Sequence, residues 1–191
     1  MRSDSPIRKL FIFVFFTISS TSFSVFIPLS QTIGSEWLIN ILCKDFFIDP
    51  YQVYLAKSFG ADAILIILSA IDEKTAKEIY KTAEELNMNT IVEVHTEGEA
   101  RNALNFKNAI IGINNRNLKT LKTDIKTTYD LYKILINHSG PLICESGIKS
   151  EKEVEEIVKK TKINNFLIGE SLLKDLDKNS SLLKRIVQIN V

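Results

Sequence analysis

Four residues of catalytic type stand at the ends of four different short apolar runs. Lys44 follows Leu42, Glu93 follows Ile91, Asn114 follows Gly112 and Glu145 follows Ile143, each two residues on. Residues two apart on a strand share a face. If the runs are strands of one barrel, a lysine, two carboxylates and an amide converge on one mouth, where barrels of this kind hold their active residues. An ammonium there can protonate a carbonyl oxygen or steady oxyanion charge, and a barrel mouth can lower its pKa. Two carboxylates in unlike surroundings can hold different protonation states. A lone strand-end lysine is ordinarily a solvated charge. Four such placements on four runs are not ordinary.

Two further stretches suit a phosphate. Ser146-Gly147 follows one run and Gly169-Glu170-Ser171 follows the last. Glycines let backbone N–H groups approach an anion, and a short helix starting at Ser171 would aim its N-terminus there. Barrels often bind phosphate in the loops after the seventh and eighth strands, and these are the last two loops here. Gly147 could equally be a turn glycine. Glu170 repels an anion, so its side chain is expected to point away.

The elements that must position these residues repeat one pattern from Ile39 onward. Apolar runs at Ile39–Cys43, Ala63–Leu68, Thr90–Val94, Ala109–Ile113, Leu142–Cys144 and Phe166–Ile168 read as strands. Their nearly unbroken apolar character suits strands buried on both faces. Between them lie helical stretches. One runs from Asp49-Pro50, a cap and a first-turn proline, to about Ser58, with Gly60 ending it. The next, Asp72–Leu86, carries Ala76, Ile79, Tyr80, Ala83 and Leu86 at helical spacing. Others are Thr96–Leu104, Thr127–Ile136 and Ser150–Thr161, the last opened by a Ser150/Glu153 capping box. Ser171–Lys174 and Ser180–Ile189 read as closing helices. A polar loop spans Asn114 to about Lys126.

Alternating strand–helix units imply a parallel sheet. No glycine-rich nucleotide fingerprint follows a run, which favours a closed barrel over an open nucleotide-binding sheet. The expected fold is an α/β (β/α)8 barrel with six clear units, incomplete at the N-terminus. The 191 residues fall below the roughly 200–250 that such a barrel takes. Residues 1–38 read as a divergent hydrophobic segment and 39–191 as the barrel body. Leu10–Phe16, preceded by Arg8 and Lys9, resembles a signal-peptide core, yet it is too short for a confident membrane span. Its other reading is one or two hydrophobic barrel strands. A net charge of +1 suggests neither nucleic acid nor an acidic partner. Cys43 and Cys144 lie inside apolar runs and read as buried free thiols. Without CxxC or HExxH spacing, a protein-built zinc site is not expected.

At this point the residues resemble a known family. Leu42-Cys43-Lys44-Asp45-Phe46 with Ile48-Asp49-Pro50-Tyr51-Gln52 resembles the third-strand signature of indole-3-glycerol-phosphate synthase. So do Val92-Glu93-Val94-His95, Ile111 to Leu118, Glu145-Ser146-Gly147-Ile148 and Ile168-Gly169-Glu170-Ser171-Leu172, in matching order and spacing, from about Ser35 onward. The resemblance implies a cytoplasmic carboxy-lyase of tryptophan biosynthesis that uses no cofactor or metal and closes an indole ring on 1-(2-carboxyphenylamino)-1-deoxyribulose 5-phosphate. By resemblance, Lys44 is the general acid at the substrate carbonyl, Glu93 the carboxylate of the dehydration half, and Glu145 a second carboxylate that orients lysine and substrate. Asn114 would bind a substrate hydroxyl. Arg116 would buttress the site or meet the substrate carboxylate. Ser146, Gly147, Gly169 and Ser171 would hold phosphate. Phe46, Phe47 and Tyr51 could wall the aromatic ring or pack in the core. An imidazole base at His95 or His138 is a minor alternative. The expected partner is a phosphorylated small molecule. Nucleic acid is not expected, and association with other enzymes of the pathway stays open.

The chain departs from the family at its start. The family's first strand normally ends in a lysine followed by Ser-Pro-Ser. Here only Ser5-Pro6 echoes that element, and the lysine's position falls near Arg2. Two other readings therefore stand beside the enzyme: an inactive barrel remnant, or a membrane-tethered protein held by Leu10–Phe16. Six units also leave two sheet edges unpaired unless residues 1–38 close the barrel, and open edges invite aggregation.

Overall fold

A computed structural model describes residues 11–18, 21–28, 40–161 and 163–169. Eight strands in chain order form a closed barrel. They are β1 (Phe11–Ile18), β2 (Thr21–Pro28), β3 (Asn40–Cys43), β4 (Ala63–Ile67), β5 (Asn89–Val94), β6 (Ile110–Asn114), β7 (Leu142–Glu145) and β8 (Asn165–Ile168). Strands β3 to β8 are parallel, each joined to the next through a helix. These helices are α1 (Tyr51–Ser58), α2 (Glu73–Glu85), α3 (Glu97–Ala103), α4 (Lys126–Leu135) and α5 (Glu151–Thr161).

The closing pair is built differently. β1 and β2 form an antiparallel hairpin paired from Phe11↔Pro28 to Ile18↔Thr21. β2 runs antiparallel to β3 as well, while β1 runs parallel to β8 through Phe11↔Leu167 and Ile12↔Ile168. Both sheet edges that six units would leave open are thereby paired, and the edge liability disappears with them. A two-residue link between Ile18 and Thr21 cannot hold a crossover helix. The run Leu10–Phe16 thus falls largely on a barrel strand. Among the described residues, no helix is long and apolar enough to cross a membrane.

Strand alternation sorts the core into two layers. Leu42, Leu65, Ile67, Ile91, Ile143 and Leu167 face one another inside the barrel. Their neighbours, among them Cys43, Ile64, Ile66, Val92, Ile111, Cys144 and Phe166, face outward and pack under helical residues such as Val53, Ile79, Leu135 and Ile157. The parallel strands are buried on both sides, which is why they read as continuous apolar runs. Cys43 and Cys144 are free and buried, and burial pushes both thiols up to about 11.

Helix starts follow the sequence. Asp72 accepts from the Thr75 N–H at 2.8 Å, and Thr96 accepts from the Glu99 N–H at 3.3 Å. Each cap contributes about 1 kcal/mol. Ser150 and Glu153 form the anticipated box, with Glu153 Oε2 accepting from the Ser150 N–H at 3.0 Å. At α1 the boundary shifts by one residue. Pro50 precedes the helix, and Asp49 accepts from the Tyr51 N–H at 2.7 Å.

Candidate active site

The inward parity places the strand-end residues. Lys44, Glu93, Asn114 and Glu145 each lie two residues beyond Leu42, Ile91, Gly112 and Ile143, and all four reach one end of the barrel. Lys44 Nζ donates to Glu93 Oε2 at 3.3 Å and lies 3.7 Å from Glu145 Oε2. Asn114 Nδ2 donates to Glu93 Oε1 at 3.0 Å. Both carboxylates are about 99% buried, while the lysine side chain remains about one-fifth exposed. A charge with one foot in solvent can meet a ligand; the two acids beneath it cannot move far.

Gly112 makes room for this cluster. A Cβ at that position would stand 1.9 Å from Glu145 Oε1. The carboxyl of β7 therefore occupies the side-chain space of β6. Glu145 Oε1 is buried and has no hydrogen-bond partner among the described residues.

Electrostatics separate the two acids. Burial works against the charged form of Glu93, but His95, Lys44 and Asn114 outweigh it and hold the carboxyl down at about 2. Glu145 is pushed up to about 8, chiefly by burial; Lys44 opposes this, and the nearby Glu93 charge adds to it. Burial and neighbouring charges thus push the two carboxyls in opposite directions. Burial alone would lower Lys44, yet Glu145 and Glu93 outweigh burial and its pKa is raised. The lowering a barrel mouth can impose on an ammonium is overturned here, because two acids stand within 4 Å of the nitrogen.

The pattern of strand ends gave His95 little weight. It lies two residues past Glu93 on the same parity, with Nε2 3.2 Å from Glu93 Oε1 and Nδ1 3.3 Å from Glu99 Oε2. Asn115 was also passed over. It is fully enclosed and ties three elements together. Its amide nitrogen donates to the carbonyls of Glu145 at 3.0 Å and Ser146 at 3.1 Å. Its oxygen accepts from the Thr128 N–H at 3.1 Å and hydroxyl at 2.8 Å. The end of β7 is thereby clamped to α4.

In the loop after β6, the Arg116 N–H donates to Asn114 Oδ1 at 2.9 Å, and the residue forms a bridge with Thr123. Ser146 (φ 64°) and Gly147 (φ 80°) turn left-handed directly after β7. A Cβ on Gly147 would meet Thr123 Cβ at 3.1 Å, so glycine serves both turn and close approach. Gly169 follows β8 on the inward parity of Leu167. Glu170, Ser171 and the closing helical stretches lie outside the described residues. Phe47 is core, while Phe46 and Tyr51 are exposed by 59% and 70%. His138 sits away from this cluster, its Nε2 2.9 Å from the Ala109 carbonyl. Among the described residues, no three His, Cys, Asp or Glu side chains gather as metal ligands.

Comparison with known proteins gives this arrangement a lineage. The family model for indole-3-glycerol phosphate synthase matches residues 29–184, about four fifths of the chain. The chain belongs to the indole-3-glycerol phosphate synthase family. It is 42% identical over 144 residues to the indole-3-glycerol phosphate synthase of Polynucleobacter asymbioticus, covering 75% of this chain and 53% of that protein. It is 41% identical over 150 residues to the tryptophan biosynthesis protein TrpCF of Helicobacter pylori, covering 78% of this chain and 32% of the relative. The chain therefore spans about a third to a half of the curated relatives it matches. Among solved structures, 3-keto-L-gulonate-6-phosphate decarboxylase from Vibrio cholerae superposes with a TM-score of 0.58 at 16% identity, covering 78% and 73% of the two chains. Thiamine phosphate pyrophosphorylase from Pyrococcus furiosus gives 0.54 at 19%, covering 77% and 66%. These last two likenesses concern the fold alone.

Proposed function

We propose that the chain closes, decarboxylates and dehydrates 1-(2-carboxyphenylamino)-1-deoxyribulose 5-phosphate to indole-3-glycerol phosphate, as a cytoplasmic step of tryptophan biosynthesis. The observation that supports it most is the Lys44 ammonium held 3.3 Å from Glu93 and 3.7 Å from Glu145 at one mouth of the barrel. Ring closure puts negative charge on the substrate's carbonyl oxygen. Lys44 stabilises and protonates that oxygen; loss of carbon dioxide then leaves a hydroxyl to be expelled. Glu93 takes the ring proton while the hydroxyl departs as water, on a proton from the Lys44 ammonium after it has recovered one from solvent. Glu145, 3.7 Å from the same ammonium, orients Lys44 and the substrate. Asn114 binds a substrate hydroxyl, and Arg116 meets the substrate carboxylate or holds the loop that does. Ser146, Gly147, Gly169 and Ser171 form the phosphate cradle. In this reading β1 and β2, within the divergent segment 1–38, close the barrel, and the body 39–191 carries the site.

One observation favours a second reading, a barrel that has lost turnover. Neither Phe11–Ile18 nor Thr21–Pro28 contains a charged residue, so the cation that the family's first strand brings to the mouth has no counterpart on this hairpin. Incubating the purified chain with the substrate and following indole fluorescence separates the two. Turnover abolished by Lys44→Ala supports the enzyme, with a loss of about 10²–10⁴-fold or more for a general acid. Folded protein with no turnover supports the remnant.

A further inference from the structure

His95 stands outside the chemistry just described, yet it contacts that chemistry directly. Its ring bridges two carboxylates. Nδ1 lies at hydrogen-bond distance, 3.3 Å, from Glu99 Oε2, while Nε2 stands at ion-pair distance, 3.2 Å, from Glu93 Oε1 and makes no hydrogen bond among the described residues. Both ring nitrogens face acids, so both can donate only as imidazolium. Glu99 is itself fixed. Its Oε2 also accepts the His95 N–H at 2.7 Å, its Oε1 accepts from the Thr96 hydroxyl at 2.9 Å, and it sits in the first turn of α3. The ring is about nine-tenths buried. A line of contacts thus runs from the start of α3 through Glu99 and His95 to Glu93, and on to Lys44.

We propose that His95 is a positioning residue that holds Glu93 ionised and aimed at Lys44, drawing on Glu99 as its anchor. The proposal deepens the proposed function, because Glu93 is the residue it serves. The charge balance at the mouth supports it. Lys44 from β3 faces Glu93 from β5 and Glu145 from β7, while Glu99 from α3 faces the far side of the imidazole. With His95 charged, two cations, Lys44 and His95, stand within 4 Å of Glu93. Without the imidazolium, Lys44 alone would face Glu93 and Glu99, and Glu93 would lose one of its two adjacent cations. The direction of the titrations agrees: burial works against the charged ring, but the Glu93 and Glu99 carboxylates outweigh it and hold His95 up at about 9.

The test is carboxyl and imidazole titration by NMR on the full chain, with pH–rate profiles beside it. His95→Gln keeps a polar side chain of similar reach and removes the charge that stands 3.2 Å from Glu93. It is expected to raise the Glu93 midpoint by about one unit, a tenfold fall in its ionised fraction at a given acidic pH. The acid limb of kcat/KM should move by the same amount, with kcat falling and KM nearly unchanged. Glu99→Gln should move the His95 midpoint down toward the value of a free imidazole. A Glu93 midpoint that stays put in folded His95→Gln protein overturns the proposal, whatever happens to its melting temperature. The titrations need no turnover. An inactive chain with shifted midpoints would sink the proposed reaction and leave the role of His95 standing.

Discussion

The Glu145 carboxyl lies over Gly112, in the space where any larger residue on β6 would carry its Cβ. Two neighbouring strands thereby share one side-chain volume, and Glu145 can reach Lys44 only because its neighbour contributes nothing.

Gly112→Ala is therefore expected to push Glu145 aside while leaving the strand intact. The added methyl would also stand 3.2 Å from Ile91 Cγ2, so both inner-layer neighbours must give. Overpacking of this kind costs about 1–3 kcal/mol, and a misplacement near 1 Å at a reacting centre costs about 10²-fold in rate. Urea denaturation and kcat/KM measured on the same protein read both. Full activity in folded Gly112→Ala protein would show that the carboxyl's seat is not needed.

Glu145→Gln isolates the strained acid. The folded chain holds this carboxyl near 8 against a reference value of 4.5. Between those values the unfolded chain has released a proton that the folded chain keeps. Stability therefore falls as pH rises through that window, and the loss is complete above about pH 8. Glutamine resembles the protonated acid and cannot titrate. The variant should match wild type near pH 4.5 and exceed it increasingly toward pH 8. Glu93 works in the opposite sense: its depressed value contributes stability above about 4.5 that is lost as pH falls toward 2. Denaturation midpoints measured from pH 3 to pH 9 would reveal both slopes.

Asn115→Ala should destabilise the chain by at least about 2 kcal/mol, because it strands several buried partners at once. The Thr128 N–H and hydroxyl lose their acceptor, and the Glu145 and Ser146 carbonyls lose a donor. Loss of the clamp should loosen Ser146 and Gly147 as well. Hydrogen exchange across residues 144–148 would report it as faster opening.

Val25→Pro tests the closing hairpin. Val25 pairs with Val14 on one side and Ile41 on the other, so proline removes a ladder hydrogen bond from a strand with two neighbours. The expected outcome is an opened barrel that scatters light and elutes early from a sizing column. A monomeric, thermally unchanged variant would mean that β2 does not hold the barrel shut.

Much of the site could be read from the alternation of single residues. Leu42 to Lys44, Ile91 to Glu93, Gly112 to Asn114 and Ile143 to Glu145 keep parity through the strand ends, and parity survives boundary shifts of one residue. His95 obeyed the same rule but was undervalued. What makes it matter is Glu99, which approaches from a helix and has no place in a strand pattern. Asn115 has outward parity, and its importance lies in Thr128 and the β7 carbonyls, a relationship no local pattern carries. The antiparallel course of β2 was equally hidden. Phe11–Ile18 is almost wholly apolar and Thr21–Pro28 mixes apolar with hydroxyl residues, neither carries a charge, and such runs carry no signal of direction.

Phe11 pairs with Leu167, so the first described strand finds its partner 156 residues later in the chain. At roughly 5–20 residues per second of synthesis, an apolar β1 waits about 10–30 s before β8 emerges to accept it. Contacts between such distant segments also make folding slow. The seam that completes this barrel is thus the last to form, and a nascent chain spends that interval with one edge of its first hairpin open.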